Sequence, residues 1–344
     1  MSTAPAGAAY SARWEAAALD VLCTDLETLS LVRVRLDLGE PKAGAGRQEP
    51  QVEYIDQIGF TPSSALGLHA FVRLPDAELC WYLDCRPEAA PLVKMIRRTV
   101  PGEPWRIDLP AVHGSPLHAL AHENAVYLFT WESGLWVQST SVDGSPLEDA
   151  RELLAVPEAD SSPPVVPFAL PVRGSDEFSL TTSTPAGVLI VGVHAGRPLV
   201  RGVPEAHPVH AVARVSPSRV DVLSYDEKAQ ELVHLVSDDR GTSTTALIRC
   251  RDTSSVALLD VHGRPCYLFN ELTLLDEQPL YSLTLLFEPS AVASATPRLS
   301  RAYLYTSPNP ITSFVAATQG GELRVLLLCD RLWLLRADLT ISSE

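Results

Sequence analysis

The chain has 344 residues, of which 46% are hydrophobic and 20% are charged. This apolar content excludes a disordered chain, and the length calls for several domains unless the fold is a closed barrel or a repeat. The formal net charge of −15 argues against binding to nucleic acid or to an anionic membrane, because both repel an acidic surface.

The N-terminal segment lacks the features of a targeting sequence. Residues 1–7 show no basic stretch followed by an apolar one, so we predict no secretory signal. No apolar run reaches the about 18 residues that a membrane-spanning helix needs. The six cysteines are scattered, and the spacing of Cys80 and Cys85 does not match a zinc knuckle. We therefore expect a cytoplasmic protein with reduced thiols and no membrane span.

A single helix is predicted, in the N-terminal region. Within residues 12–29 the apolar positions that fit a helical spacing are Trp14, Ala17, Ala18, Val21 and Leu22. The rest of the chain consists of short apolar or alternating runs broken by proline, glycine, aspartate and serine, which is typical of β-strands. The 28 prolines and 19 glycines supply the turns between these strands.

From residue 68 onward, the strand-like runs recur in a fixed order. A strand with small residues is followed by a turn, an apolar strand, a second turn and a third strand. The clearest first strands are residues 68–73, 117–122, 209–214, 256–260 and 314–318. A further unit within residues 165–203 fills the longest gap, and a weaker one starts near Ala18. Periods of about 40–50 residues are typical of propeller blades.

The repeat predicts an all-β fold, namely a β-propeller of four-stranded antiparallel blades. The unit starts give seven blades, whereas six remain if the residues before 60 only complete the last blade. We expect one domain over residues 1–344, with the N-terminal and C-terminal strands pairing to close the ring. Small residues on the first strands, such as Ala70, Ala119 and Ala211, suit the crowding near a central axis. A large β-sandwich is the alternative.

Two sets of polar residues recur on the first strands, on the face opposite the alanines. His69, His118 and His210 take the same position in three units and are our candidate catalytic residues. The second set follows four residues later and consists of Arg73, His122, Arg214, Asp260 and Thr318. All of these except Thr318 are our candidate substrate-binding residues. If the first strands line a channel, both sets surround a ligand pocket; alternatively, each histidine bonds the backbone of a neighbouring blade.

Other signals for a functional site are few. Trp105 follows a turn rich in proline and glycine and is a further candidate ligand contact, although a tryptophan is usually part of the core. Three equivalent histidines also suit a metal ion, but the repeat places no carboxylate behind them, so we predict no metal. Nucleophile-elbow, phosphate-loop and dinucleotide motifs are missing from the sequence, and we therefore expect no cofactor.

The blade pattern resembles that of fungal fucose-specific lectins. It is clearest in residues 209–236, where an apolar-Ala-apolar-Ala-Arg strand precedes Val-Asp-Val and Leu-Val-His, and in residues 313–325. The resemblance implies sugar sites between blades, built from repeated arginine, glutamate and aromatic residues. Only Arg324 matches the second-strand arginine of that set. The other units have Trp81, Tyr127, Asp221 and Tyr267 in that strand.

A second resemblance rests on general features. The chain is similar in size, apolar content, missing signal and degenerate repeats to the propeller hetero-Diels–Alderases of fungal tropolone sesquiterpenoid biosynthesis. No motif is shared residue by residue, so this resemblance assigns no catalytic residue.

Three functional hypotheses follow. The first is a cofactor-free cyclase of fungal secondary metabolism, which joins an apolar polyene terpene to an ortho-quinone methide in a hetero-Diels–Alder reaction. In it the three histidines transfer protons, while Arg73 and Arg214 polarise a carbonyl group. The second is a fucose-binding lectin with several sites, and the third is a propeller that binds other proteins. The sequence leaves the oligomeric state open.

Overall fold

The structure is a computed structural model of the chain. It describes residues 7–14, 18–25, 30–37, 51–57, 69–84, 92–99, 103–155, 177–181, 187–216, 218–261, 264–275, 278–287, 299–311, 313–319, 321–329 and 332–339. These residues fall into two compact units. Unit 1 contains the described residues up to 201, apart from 187 and 188, which belong to unit 2 together with the residues from 202 onward.

The strands described in unit 1 form sheets A to D. Sheet A contains β1 (Gly7–Trp14), β2 (Ala18–Asp25), β3 (Ser30–Asp37) and β4 (Gln51–Gln57). Sheet B contains β5 (His69–Arg73), β6 (Glu78–Asp84), β7 (Leu92–Arg98) and β8 (Arg106–Asp108). Sheet C contains β9 (Ser115–His122), β10 (Ala125–Trp131), β11 (Gly134–Ser141) and β12 (Arg151–Ala155). Sheet D, which lies mostly in unit 1, contains β13 (Glu177–Thr181), β14 (Val188–His194) and β15 (Arg197–Val203).

The strands described in unit 2 form sheets E to G. Sheet E contains β16 (Val209–Ser216), β17 (Arg219–Asp226), β18 (Glu231–Asp238) and β19 (Gly241–Arg249). Sheet F contains β20 (Val256–Val261), β21 (Arg264–Leu275), β22 (Gln278–Phe287) and β23 (Ser300–Ser307). Sheet G contains β24 (Ser313–Gln319), β25 (Glu322–Leu328) and β26 (Leu332–Asp338).

The all-β propeller fold is confirmed by how these sheets are built and stacked. Each sheet is an antiparallel meander in which strands that follow each other in sequence are paired. The first strands of consecutive sheets lie side by side, β1 by β5 and β5 by β9 in unit 1, and β16 by β20 and β20 by β24 in unit 2. Consecutive sheets joined in this way are propeller blades. The blade number of the whole chain, the single domain and the closure of the ring stay predictions.

The helix predicted over residues 12–29 is wrong. These residues contain the end of β1 and all of β2, which pair antiparallel with Trp14 opposite Leu19. Strand β2 also pairs along its whole length with β3. A short run such as Leu19, Val21 and Cys23 fits a period of two as well as a helical spacing, and pairing on both edges selects the strand.

Neighbouring sheets pack face to face through apolar side chains within each unit. Between sheets B and C, Ala70, Trp81, Ala119 and Leu128 form part of one buried cluster. The two alanines in this cluster lie on the neighbouring strands β5 and β9, as the crowding argument predicts.

The same packing continues in unit 2. Between sheets E and F, Leu223 and Tyr225 pack with Tyr267 and Phe269. A further buried cluster joins sheets F and G.

Gly114 occupies a backbone position that excludes a side chain. Its φ angle is +73°, and a Cβ atom there would lie 2.6 Å from the carbonyl oxygen of Trp131. We expect Gly114→Ala to lower the free energy of unfolding by about 2–4 kcal/mol, since the variant combines a left-handed alanine with a clash against backbone. Chemical denaturation measures this change.

Gly196→Ala is the matched control for this prediction. Its φ angle is +71°, but the nearest atom to a new Cβ, the Tyr127 hydroxyl oxygen, is 3.7 Å away. Only the backbone term of about 1 kcal/mol remains. Equal losses for the two variants would contradict the steric argument.

Candidate functional site

His118 lies between two sheets. Its ring centroid is 4.5 Å from that of Phe178 on β13, while the adjacent Ala119 packs on the other face of β9 against sheet B. Both faces of this first strand are therefore covered by neighbouring sheets. The catalytic role of His118 stays a prediction.

His210 is buried and bonded to the backbone of its own segment. The Nδ1 atom is 2.9 Å from the carbonyl oxygen of Pro208. Burial lowers the pKa of His210 to about 4, and backbone hydrogen bonds oppose this only in part. The imidazole is therefore neutral near pH 7, with Nδ1 donating to the carbonyl. The contact with Pro208 lies within the segment that leads into β16.

The remaining candidates are dispersed. The side chains of His69, Arg73 and Arg214 lie outside the described residues, so their roles stay predictions. His122 places Nε2 3.9 Å from the Glu123 carboxylate. The carboxylate of Asp260 is exposed, and its backbone carbonyl accepts a hydrogen bond of 3.1 Å from Thr318 Oγ1.

Trp105 belongs to a charged cluster between sheets A and B, which we call the Glu78 cluster. Its members are Arg33, Glu53, Glu78, Arg98 and Trp105. The two terminal guanidinium nitrogens of Arg33, Nη1 and Nη2, donate to Glu78 at 3.2 and 3.3 Å. Arg98 Nε donates to the same carboxylate at 2.5 Å. The Trp105 indole donates to Glu53 at 3.0 Å, and the Arg98 guanidinium lies 4.4 Å from the indole centroid.

A second ionic group lies between the same two sheets. Lys94 contacts Asp84 at 2.8 Å and Asp56 at 3.0 Å, and the Tyr82 hydroxyl donates to Asp56 at 2.6 Å. Burial lowers the pKa of Lys94, but the two carboxylates outweigh that effect and the net pKa is raised. A lysine held in its charged form is a poor nucleophile. This group therefore fastens the sheets rather than performing chemistry.

Sheets E and F carry a different polar group at their contact, which we call the His234 cluster: Arg219, Asp221, His234 and Tyr267. Asp221 lies on β17 two residues before Leu223, so both side chains project to the same face of sheet E. His234 lies opposite Leu223 on β18 and shares that face. Tyr267 projects from β21 of the next sheet and packs against that face. Strand register within sheet E and the stacking of sheet F together bring the three side chains to one place.

The imidazole of His234 lies between a carboxylate and a phenol. Its Nδ1 atom is 3.3 Å from the Tyr267 hydroxyl, and its Nε2 atom is 3.3 Å from Asp221 Oδ2. The Nε2 contact lacks the alignment of a hydrogen bond. Burial lowers the pKa of His234 more than Asp221 raises it, so the ring is neutral near pH 7. A neutral ring with its proton on Nε2 leaves Nδ1 as the acceptor for the phenol proton.

The cluster contains the three kinds of group found in a proton relay, while its Asp221–His234 contact is not aligned as a hydrogen bond. In such a relay, a carboxylate orients a histidine and the histidine takes the proton of a hydroxyl group. The sequence shows Asp221 and Tyr267 as polar residues on second strands and His234 on a third strand. It gives no spacing that joins them, because they belong to two blades. The signal available in the sequence was a polar residue at a strand position that the alternation of apolar and polar residues assigns to the core.

Other sites are not evident among the described residues. No group of three or more histidine, cysteine and acidic residues lies close enough to hold a metal ion in that part of the chain. Cys80, Cys250 and Cys266 are buried thiols. The ranges that the structure describes contain no helix long and apolar enough to cross a membrane.

Comparisons with known proteins find similar structures only. No family model matches the chain. No curated protein matches it either.

Three similar structures illustrate the degree of likeness. The GH43_1 enzyme from Xanthomonas citri, complexed with xylose, has 13% identity and a TM-score of 0.36, over 78% of this chain and 83% of that one. The computationally designed Ika8 protein has 10% identity and a TM-score of 0.48, over 97% and 98%. A putative 6-phosphogluconolactonase from Bacteroides uniformis has 10% identity and a TM-score of 0.43, over 93% and 91%. Likeness of this degree carries no argument about the activity of this chain.

The structural role of His210 predicts a specific sensitivity to acid. Its pKa is near 4 when folded and about 6.5 when unfolded, so the unfolded chain takes up the proton first as the pH falls. Stability is then lost between about pH 6.5 and pH 4, by about 3 kcal/mol in total. We expect His210→Gln to remove this part of the pH dependence of the unfolding free energy.

His194→Gln serves as the control, since His194 is exposed on β14. This variant should keep the wild-type loss of stability between pH 6.5 and 4. An unchanged acid profile in His210→Gln would show that His210 does not stay neutral in the folded chain.

Proposed function

We propose that the chain is a cofactor-free cyclase of the hetero-Diels–Alderase type, and that the His234 cluster transfers protons in its reaction. The supporting observation is the neutral His234 imidazole between Asp221 and the Tyr267 hydroxyl. The proposed substrates are an apolar polyene terpene and an aromatic precursor of an ortho-quinone methide. Formation of the quinone methide is the step that needs an acid and a base.

The precursor is a phenol with a neighbouring benzylic hydroxyl group. Loss of water breaks the benzylic C–O bond, and the phenol oxygen becomes a carbonyl as it loses its proton. His234 Nδ1 takes the proton of the Tyr267 hydroxyl, and the tyrosinate takes the proton of the substrate phenol. Tyr267 passes that proton to the departing hydroxide, and the His234 imidazolium, which lies beside Asp221, then returns its proton to Tyr267.

The cycloaddition that follows needs positioning more than chemistry. The terpene double bond and the quinone methide form one C–C and one C–O bond with no net proton transfer. Holding two apolar reactants in a reactive pose accounts for part of the barrier, up to about 7–11 kcal/mol in ideal cases.

The test is the variant Tyr267→Phe, which removes one hydroxyl group. We expect the rate of quinone methide formation from an ortho-hydroxybenzyl alcohol to fall about 10²–10³-fold, since a positioned acid contributes that much. Trapping with a cyclic polyene and product analysis by mass spectrometry measure the rate.

Tyr225→Phe is the matched control. Tyr225 belongs to the same apolar cluster, but its hydroxyl bonds the backbone carbonyl of Cys250 at 3.4 Å. This control should keep the wild-type rate. A fully active Tyr267→Phe enzyme, or a wild-type chain that forms no adduct, would overturn the proposal.

A fucose-binding lectin is the second candidate, supported by Glu53, Arg98 and Trp105. These are the residue types that the lectin resemblance implies, and they meet between consecutive sheets. A sugar must, however, displace the contacts that the three side chains make with one another, since Arg98 already lies over the indole. We place this candidate second for that reason.

Calorimetric titration with fucose tests the lectin hypothesis. If it holds, the wild-type chain binds fucose and Glu53→Gln loses the binding, because a carboxylate acceptor becomes an amide. Arg249→Gln, which changes an exposed ion pair with Glu231 in sheet E, should leave binding intact. Absence of heat at millimolar fucose would reject this candidate, and absence of both activities would favour a protein-binding propeller.

A further inference from the structure

Arg219 holds the carboxylate of the His234 cluster with two contacts. Its Nε donates to Asp221 Oδ1 at 2.9 Å, and its Nη2 donates to Asp221 Oδ2 at 3.1 Å. The two residues are two positions apart on β17, so both side chains leave the strand on the same face. The paired contact fixes the carboxylate plane, which is otherwise free to rotate.

The same oxygen atom serves two partners. Asp221 Oδ2 accepts from Arg219 and also lies 3.3 Å from His234 Nε2. The Asp221 side chain is 10% exposed and that of Arg219 is 45% exposed, so the guanidinium covers the carboxylate from the solvent side. Arg219 thus contacts Asp221 on its solvent side, and the His234 imidazole contacts it on its buried side.

We infer that Arg219 is a positioning residue for the proton relay, holding Asp221 in the orientation that keeps Oδ2 against the His234 ring. This inference rests on the proposed function, because it concerns the same cluster. Arg219 does not reach Tyr267, and it acts on the reaction only through Asp221 and His234.

The charge of Arg219 has a second effect on His234. The groups that face the imidazole are Asp221 on β17 and the Tyr267 phenol on β21, while the neighbouring position on β19 is the neutral Thr245. Arg219 opposes protonation of the ring and Asp221 favours it. Asp238, on the same strand as His234, acts in turn on Arg219. Removal of the guanidinium therefore leaves the full charge of Asp221 to attract a proton to the ring.

The experiment is an NMR titration of His234 in the intact chain, with the ring signals assigned by their loss in His234→Gln. We expect Arg219→Gln to raise the pKa of His234 by about 0.5–1 unit. Arg219→Lys keeps the charge but not the paired contact, so the Asp221 carboxylate is free to turn away from the ring and the pKa of His234 should fall below that of the wild type. Arg249→Gln, whose ion pair is exposed in the same sheet, should leave the titration unchanged.

Kinetics give the second measurement. In each Arg219 variant, the acid limb of the pH–rate profile should move along the pH axis by the same amount and in the same direction as the His234 titration. A His234 titration in Arg219→Lys equal to that of the wild type would overturn the positioning role.

The two proposals fail in different ways. A shifted titration together with a fully active Tyr267→Phe enzyme would reject the proposed function and keep the role of Arg219.

Discussion

The structure depends on one constraint, which is that an apolar face of a sheet needs a neighbouring sheet to exclude water. Sheet C shows this directly, since Ala119 packs toward sheet B while His118 packs toward Phe178 of sheet D. Burial on both sides removes most positions at which a polar side chain is tolerated. Buried polar side chains are then confined to places where several of them form hydrogen bonds or ion pairs with one another.

Two such polar clusters differ in their charge and in their protons. In the Glu78 cluster, two arginines and two glutamates balance in charge, and each guanidinium is bound to a carboxylate. Breaking such a buried pair leaves an uncompensated charge, so the cluster holds the sheets in register. The His234 cluster contains a group that is neutral near pH 7 and has an acceptor directed at a phenol. In the second cluster, the Tyr267 hydroxyl proton is directed at an unprotonated ring nitrogen.

The sequence predicts the fold better than the site for a physical reason. Strand alternation and turn residues are local, so the blade repeat can be read without knowing which strands meet, and only the short β1–β2 segment was mistaken for a helix. A site between blades joins residues far apart in the chain, such as His234 and Tyr267. The repeated histidines belong instead to the pattern that the blades share, and their catalytic role stays a prediction. The buried ring of His210, for example, bonds a backbone carbonyl group of its own segment.

A functional group in this fold is more readily found where the repeat fails. Asp221 and Tyr267 occupy second strands, where the lectin pattern has arginine, and neither residue recurs in an equivalent role in the part of the chain that the structure describes. A carboxylate at such a position needs a partner, and Arg219 supplies it from the same strand. The arginine neutralises the charge that burial would otherwise penalise, which lets Asp221 remain beside a neutral imidazole. The departure from the repeat, its ionic compensation and the neutral histidine are therefore parts of one arrangement.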